Sequence, residues 1–299
     1  MTTFYHKSKP SSVIRVTGED AEDYLQSQWT LNVKILASNS IGYGLRLSTK
    51  GKVLADSYFF RLGEEEFILL SRECGGKEII SLLNENIVAD EVEFVDESMK
   101  WEWITVWTEN NESSKPISDL PSFDPGKFAN FKEGYVFEDF CISKNTHGYL
   151  VPINSNLQFM EGQQATDYQL IEKKIISGLP SVPKDIGSTE LPQEGCLEDY
   201  AIDFNKGCYL GQEVMARIHA MGRVRRQTFP ISWKGKEVPT LPCPVYAKEK
   251  NIGSLKSMIP SKTHGFIGTA IIHENAIEEL KNFGLVISKK DNERIFLLK

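Results

Sequence analysis

Residues 206–213 read Lys-Gly-Cys-Tyr-Leu-Gly-Gln-Glu, and a helix-forming run that reaches Arg217 follows them. The pattern predicts a helix that begins at Gln212. Glycines on both sides of Cys208 let the backbone approach a ligand closely or adopt positive φ. A helix amino terminus, Lys206 and Arg217 would all favour the thiolate over the thiol. The stretch therefore predicts either a reactive thiol or a tight turn around a buried cysteine, and the residues alone leave both open.

The other cysteines predict neither a disulfide framework nor a structural zinc site. The chain has five, at Cys74, Cys141, Cys196, Cys208 and Cys243. Their number is odd, their spacings are long and no pair reads C-x-x-C. We expect free thiols in a reducing cytoplasm. No histidine has metal-ligand spacing to a second ligand, so we expect no metal site.

Composition excludes several classes of protein. The 299 residues are 40% hydrophobic and 25% charged, with a net charge of −7. The apolar runs are far shorter than the roughly 18 residues that a transmembrane helix needs. The first ten residues have no apolar stretch, so we expect no signal peptide and a cytoplasmic location. Because the net charge is negative, we do not expect the protein to bind nucleic acid, except through a local basic patch.

One segment is basic despite this acidity. Residues 217–226 contain Arg217, His219, Arg223, Arg225 and Arg226. This basic island, residues 217–226, is either a solvated surface or a binding site for an anion, such as a carboxylate chain or an RNA backbone. Both interpretations remain open.

The pattern of elements predicts an α+β fold. Thr17 is expected to cap a first helix. Strands are expected at Gly44–Leu47, Val53–Arg61 and Phe67–Ser71, and residues 109–134 are expected to form a loop. A helix over Thr166–Ser177 is expected to end at Gly178. Strands and helices do not alternate as βαβ units, which excludes a parallel α/β class.

The sequence pattern changes from Pro230 onward, where short strand-like runs are separated by Gly, Pro and Ser. We therefore predict two domains, a body over residues 1–229 and a β-rich domain over residues 230–299.

The Lys-Gly-Cys-Tyr-Leu-Gly-Gln-Glu string resembles the signature of the YgfZ family, which is related to the T-protein (aminomethyltransferase) of glycine cleavage. Weaker landmarks agree in order: residues 18–28, 50–52, 178–180 and 191–194. The resemblance implies a T-protein-like three-lobed body around a central folate pocket, with a carboxy-terminal β-barrel. It also implies that the body holds two interleaved subdomains, one of them near residues 46–135.

The resemblance further implies a tetrahydrofolate-binding protein that supports the assembly or repair of iron–sulfur enzymes, including radical enzymes that modify tRNA. The family's motif thiol corresponds to Cys208, with Lys206 as its neighbour. Because a cluster normally needs about four protein ligands, one thiol is expected to do thiol chemistry or a transient hand-off. We expect folate and iron–sulfur client enzymes as partners, a monomer, no membrane contact, and RNA contact only as a less favoured alternative.

The resemblance also implies which residues form the folate pocket. It comprises Leu179, Gly207, Tyr209, Gly211, Gln212, Glu213 and Arg223. Apolar walls would suit the flat pterin, and cations at the mouth would suit the glutamate carboxylates.

Three positions depart from the related patterns. Where T-proteins carry a pair of aspartates, this chain has Ala55 and Asp56, so only Asp56 remains as a candidate base or pterin ligand. Lys174 replaces an arginine, which loses bidentate geometry. Cys196 replaces an asparagine and is either a small buried side chain or a resolving thiol for Cys208.

Two other functions remain open at this stage. One is a folate-dependent aminomethyltransferase of the glycine-cleavage type, against which the missing second aspartate argues. The other is a non-catalytic module that binds RNA or a protein through the basic island. Whether the protein is an enzyme, for instance a folate-dependent one-carbon transferase-like protein, stays open as well.

Overall fold

A computed structural model describes residues 2–108, 121, 123–143, 145–155, 162–287 and 294–298. The strands up to residue 108 are β1 (Thr3–Ser8), β2 (Ser12–Thr17), β3 (Ile41–Leu47), β4 (Val53–Arg61), β5 (Glu66–Ser71), β6 (Glu93–Asp96) and β7 (Trp101–Thr108). The strands of the middle are β8 (Phe128–Phe131), β9 (Gly134–Glu138), β10 (His147–Pro152) and β11 (Gln163–Gln164). The last strands are β12 (Arg226–Trp233), β13 (Cys243–Ala247), β14 (Lys250–Ser261), β15 (Gly265–His273), β16 (Leu285–Val286) and β17 (Arg294–Leu297).

The helices are short and lie between the strands. They are α1 (Ala21–Gln28), α2 (Gly76–Asn84), α3 (Asp167–Ile176), α4 (Glu198–Ala201), α5 (Gln212–Met221) and α6 (Ile277–Phe283). A 3₁₀ turn at Pro192–Gly195 precedes α4. Within the described ranges, no helix is both long and apolar enough to span a bilayer.

The strands form three sheets. The first has the order β11-β1-β7-β10-β9-β8, and the second has the order β3-β4-β5-β2-β6. The third is a closed barrel of β12, β15, β14, β13, β16 and β17. This mixed content and the closed carboxy-terminal barrel confirm the predicted α+β class. The division into domains at residues 229 and 230 stays a prediction.

One hydrophobic core joins the first two sheets. Phe59 and Phe60 of β4 lie in it beside Trp103 of β7 and Phe137 of β9. The Phe60 and Phe137 rings meet edge to face with centroids 5.0 Å apart, which is a favoured aromatic geometry. The barrel has a separate core that includes Trp233.

Two buried carboxylates tie the barrel to the segment before α4. Arg226 of β12 forms two parallel bonds to Glu194, at 2.8 and 3.1 Å. Lys256 of β14 lies 2.9 Å from Glu190. The Glu190 and Glu194 side chains are only 5% and 6% exposed, so each cation compensates a carboxylate that water does not reach.

Most predicted elements are confirmed, and two expectations are wrong. Val53–Arg61 is β4 with those bounds. Thr166 caps α3 with a capping box, and Gly178 with φ +73° follows the helix. Thr17, however, is the last residue of β2 and does not cap α1. The chain turns at Gly18, which has φ +131°, and the helix starts only after Asp20.

The second wrong expectation concerns the loop over residues 109–134. Phe128–Phe131 is β8, which pairs with β9 as a hairpin. The turn residues on either side of this four-residue strand masked its short alternation in the sequence. Residues 109–120 and 122 of the predicted loop lie outside the described residues.

Candidate functional site

The motif loop, residues 202–211, connects α4 to α5 and displays Cys208. The Cys208 thiol is exposed, and α5 begins at Gln212 as expected. Lys206 and Tyr209 on either side are buried. The loop is therefore anchored by its neighbours while the cysteine itself faces solvent.

Lys206 anchors the loop to the end of α1. Its Nζ donates to the carbonyls of Gln26, Trp29 and Leu31 at 2.7, 2.6 and 2.5 Å. The last carbonyls of a helix lack partners within the helix, and α1 has no basic residue in its last turn. Burial lowers the pKa of Lys206 to about 7. All three Nζ donors are engaged with backbone, so the contacts assign Lys206 to holding the loop.

Gly211 fits the loop against the turn between β3 and β4. Its φ is +85°, and a Cβ there would lie 2.7 Å from the Ser48 carbonyl oxygen. Gly207, in contrast, has open space around its missing Cβ. The Gln212 side chain donates to the Lys206 carbonyl at 3.4 Å, and Glu213 is exposed. Of the two motif glycines, only Gly211 is required by a close approach.

The described residues place no set of metal ligands around Cys208. Nowhere in the described ranges do three or more His, Cys, Asp or Glu side chains gather as a metal site. A cluster that met Cys208 would therefore take its remaining ligands from another molecule.

Asp56 lies in a different place, in the wall between the first two sheets. Its Oδ2 accepts from the Tyr43 hydroxyl at 2.7 Å. Its Oδ1 accepts from Ser71 at 2.7 Å and from the Cys74 thiol at 3.2 Å. Burial raises the pKa of the Asp56 carboxyl, although the hydrogen bonds from Tyr43 and Ser71 act in the opposite direction. Asp56 is thus a fixed carboxyl that can hold a proton at a higher pH than usual.

Aromatic rings surround this carboxyl. The Tyr43 ring lies 5.6 Å from Phe140 and 6.0 Å from Tyr200, between centroids. Phe140 and Tyr200 are only partly covered, so part of the aromatic cluster is open. Burial raises the pKa of nearby Cys141 to about 12, which keeps that thiol protonated and inert.

A cavity of about 320 Å³ lies beside Leu179, and we call it the Leu179 cavity. Its walls include apolar side chains and the amino groups of Lys9, Lys174 and Lys184. Lys174 binds Glu73 at 3.2 Å. Despite the burial of Lys174, the Glu73 charge holds its pKa above the usual value. The Lys174 charge also tends to lower the pKa of Asp56, although Asp56 is not among the residues that line the cavity.

Two buried nitrogens in the wall of the Leu179 cavity have no partner in the described structure. They are His6 Nδ1 and Arg72 Nη1. The other nitrogen of His6 is bonded to Asp167 at 2.7 Å. Buried polar atoms without partners are uncommon in native proteins and indicate an additional binding group.

The predicted pocket residues therefore fall into separate places. Leu179 lines the cavity named after it. Gly207, Tyr209, Gly211, Gln212 and Glu213 lie on or beside the motif loop, which is pinned to α1 and to the turn at Ser48. Arg223 lines another cavity, together with Cys196. The functional roles of these residues stay predictions.

The basic island is also divided by the structure. Arg226 is held by Glu194, whereas Arg217, Arg223 and Arg225 are exposed. The paired Arg226 is thus used to join the barrel to the body, and only the other arginines remain available for an anion.

Sequence reasoning missed the partners of Asp56. Tyr43, Ser71 and Cys74 come from three separate segments, and no local pattern links them. The pairing of β3 with β4 and of β4 with β5 brings them together. The buried, half-apolar runs of these strands gave no signal beyond a packed sheet.

Comparisons with known proteins agree with this architecture. The family model described as the GCVT N-terminal domain matches residues 9–110. Among solved structures, the glycine cleavage system aminomethyltransferase T from Bartonella henselae has a TM-score of 0.79 at 11% identity, covering 98% of this chain and 84% of that one. At this identity the likeness shows the fold. The fold is that of the aminomethyltransferase T-protein.

Relatives found by sequence have more specific names than the structural relative. The iron–sulfur cluster assembly factor IBA57 homolog, mitochondrial, of Mycosarcoma maydis is 23% identical over 234 residues, covering 74% of this chain and 55% of that protein. The tRNA-modifying protein YgfZ of Vibrio vulnificus is 23% identical over 248 residues, covering 81% and 73%. An uncharacterized protein of Haemophilus influenzae is 26% identical over 291 residues, covering 95% and 94%. The chain is thus similar over most of its length to proteins named as YgfZ and as IBA57 homologs, and its first third matches the GCVT N-terminal domain.

Proposed function

We propose that this protein binds tetrahydrofolate and, through Cys208, supports the assembly or repair of iron–sulfur enzymes in the cytoplasm. Radical enzymes that modify tRNA are among the proposed clients. The observation that carries the proposal is the exposed Cys208 thiol on a loop whose flanking residues are buried and anchored. The names of two relatives, an iron–sulfur cluster assembly factor and a tRNA-modifying protein, support the proposed role in iron–sulfur assembly and the proposed clients.

The residues around the Leu179 cavity fit a folate. Its apolar walls suit a flat ring system, and Lys9 and Lys184 offer cations for carboxylates. The unpartnered His6 Nδ1 and Arg72 Nη1 offer polar contacts that the protein itself leaves unused. Asp56 would accept hydrogen bonds from pterin N–H groups, because a carboxylate with fixed orientation suits such donors. When bound, tetrahydrofolate supplies a carrier for one-carbon units.

The proposed work of Cys208 is a transient hand-off. An exposed thiol can meet a client protein without a change in fold, and a thiolate is a good ligand for iron. Because this chain offers Cys208 no further ligands in its described part, the client would supply them. The anchored loop keeps the thiol in one position while the partner comes and goes.

Separate assays test the thiol and the folate pocket. Arg72, which lines the Leu179 cavity, lies 3.7 Å from the Trp103 ring centroid, so a bound folate is expected to change tryptophan fluorescence. Tetrahydrofolate titrations should give the same affinity for the wild type and for Cys208→Ser. Cys208→Ser should fail to complement an iron–sulfur maintenance defect, whereas the matched control Cys243→Ser should complement it. Full complementation by Cys208→Ser would reject the role of the thiol, and absence of a saturable folate signal would reject the pocket.

A second candidate, a folate-dependent aminomethyltransferase, is favoured by one observation. Asp56 is partly buried, is held by three donors and has a pKa that desolvation raises, as suits a group that accepts a proton. Ala55 on the other face of β4 is buried in the core, so no second carboxylate stands there. Formation of methylenetetrahydrofolate from an aminomethyl-lipoyl donor would establish this activity, and no turnover at high protein concentration would exclude it.

A further inference from the structure

A second exposed thiol, Cys196, lies in a cavity that the proposed function does not use. The cavity has a volume of about 310 Å³, at the low end of ligand pockets, and we call it the Cys196 cavity. Its walls come from the 3₁₀ turn before α4, from α4, from α5 and from the start of β12. Cys208 is not among its lining residues, so the two exposed thiols have different surroundings.

The backbone fixes the Cys196 sulfur in this wall. Cys196 ends the 3₁₀ turn with φ +54°, a left-handed conformation that cysteine rarely adopts. The Gln227 side-chain amide lies 2.8 Å from its Sγ and donates to it. A residue held in this way presents its side chain in one direction.

Two acceptors in the same wall have no partner in the described structure. Gln193 is only 7% exposed, and its Oε1 accepts no hydrogen bond. Glu198 Oε2 is likewise buried and unpartnered. Leaving such buried atoms unpaired is unfavourable, because they lose the hydrogen bonds that water gives them in the unfolded chain. A ligand with N–H groups would satisfy both.

The remaining walls add a cation and a flat face. Arg223 lines the cavity, is exposed, and forms no ion pair with the described residues. Phe204 and His219 stack with centroids 3.9 Å apart and close another side. The cavity thus offers a thiol, two acceptors and one guanidinium.

We propose that Cys196 is a thiol–disulfide exchange site for a small peptide-like thiol that carries N–H and carboxylate groups. The ligand's N–H groups would meet Gln193 and Glu198, and its carboxylate would meet Arg223. The co-reactant is the disulfide form of that thiol. The Cys196 thiolate attacks one sulfur and forms a new S–S bond, the original S–S bond breaks, and the departing thiolate takes the proton that Cys196 released.

Two disulfide probes test the recognition part of the proposal. Glutathione disulfide carries amino, amide and carboxylate groups, and bis(2-hydroxyethyl) disulfide carries none of them. Rates of adduct formation at Cys196 and at Cys208 are measured by peptide mass spectrometry in the same sample. For each cysteine, the rate with glutathione disulfide is divided by the rate with the neutral probe. This ratio is expected to be about tenfold higher at Cys196 than at Cys208, which corresponds to about 1.4 kcal/mol of recognition. Cys208 is the internal control for an exposed thiol without this cavity.

Variants of the cavity wall complete the test. Arg223→Gln should lower the Cys196 ratio about threefold and leave the rate with the neutral probe unchanged, as expected for one exposed charge pair. Equal ratios at Cys196 and Cys208, or no adduct at Cys196, would overturn the proposal. Cys196→Ser should still complement the iron–sulfur defect that Cys208→Ser does not, which separates this site from the proposed function.

Discussion

Replacement of Lys206 by methionine tests whether this lysine is a structural anchor. Methionine keeps most of the apolar stem of the side chain and removes the nitrogen. The Gln26, Trp29 and Leu31 carbonyls then lose their contacts of 2.5–2.7 Å at the end of α1. We expect the variant to fold, with a lower free energy of unfolding and a less firmly held motif loop.

The magnitude depends on pH because burial lowers the pKa of Lys206 to about 7. Above that pH the native amine is neutral and still has two donors for the three carbonyls. A buried carbonyl left unpaired costs about 1–3 kcal/mol, so two such losses at pH 8 amount to about 2–6 kcal/mol.

The sign of the pH dependence follows from linkage. The pKa of an unperturbed lysine is 10.5, so between pH 7 and 10 the unfolded chain binds a proton that the native protein lacks. Stability from this group therefore rises with pH in that window, by at most about 1.4 kcal/mol per pH unit. The loss caused by Lys206→Met should accordingly be about 1–2 kcal/mol smaller at pH 6 than at pH 8.

Urea unfolding at pH 6 and pH 8 measures both effects. Lys50→Met is the matched control, because Lys50 is exposed, and it should stay within about 0.5 kcal/mol of the wild type. A Lys206→Met protein as stable as the wild type at both pH values would refute the anchoring role. Loss of complementation without loss of stability would instead assign Lys206 to the chemistry of the motif.

Three further changes probe other parts of the molecule. Asp56→Asn should weaken tetrahydrofolate binding about tenfold in fluorescence titrations; its urea stability at pH 7 should not fall, because burial already makes the ionised carboxyl costly. Gly211→Ala should cost at least about 2 kcal/mol, since it adds a clash to an αL strain of about 1 kcal/mol. Gly222 also has a positive φ, +71°, but has open space around it, so Gly222→Ala should cost only the αL strain. Equal losses of stability in the two variants would contradict the clash proposed at Gly211. Arg226→Met should cost about 1–2 kcal/mol by leaving the buried Glu194 carboxylate without its cation, and thermal unfolding without any shift in midpoint would argue against that pair.

Some of the site is local and could be predicted from the sequence. The Gly-Cys pair and the helix start at Gln212 depend on residues adjacent in the chain, and the structure has α5 at that place. Strand-like runs bounded by turn residues also located β4 and β5. Short strands separated by turn residues predicted a β-rich carboxy-terminal domain, and the resemblance to the YgfZ family implied that this domain is a barrel.

Other parts depend on residues that are far apart in the chain. The expectation that Lys206 favours the thiolate stays a prediction. Its three carbonyl acceptors lie about 175–180 positions earlier in the chain, so no local pattern could have predicted them. The same holds for Arg226, which looks like a member of a basic island until Glu194 is seen beside it. A charge run in the sequence does not reveal which charges are neutralised by tertiary contacts.

The sequence by itself predicted most of the elements, the α+β class, a β-rich carboxy-terminal region and the motif cysteine, because periodicity, turn residues and capping act over a few positions. Only the tertiary structure decided the environment of each candidate side chain. It surrounds Asp56 with donors from β3, β5 and the residues after β5, and it separates the motif loop from the Leu179 cavity. It also gives Cys196 a cavity of its own. Burial and unpaired polar atoms arise when distant segments pack together, and they decide which of these side chains can bind a ligand.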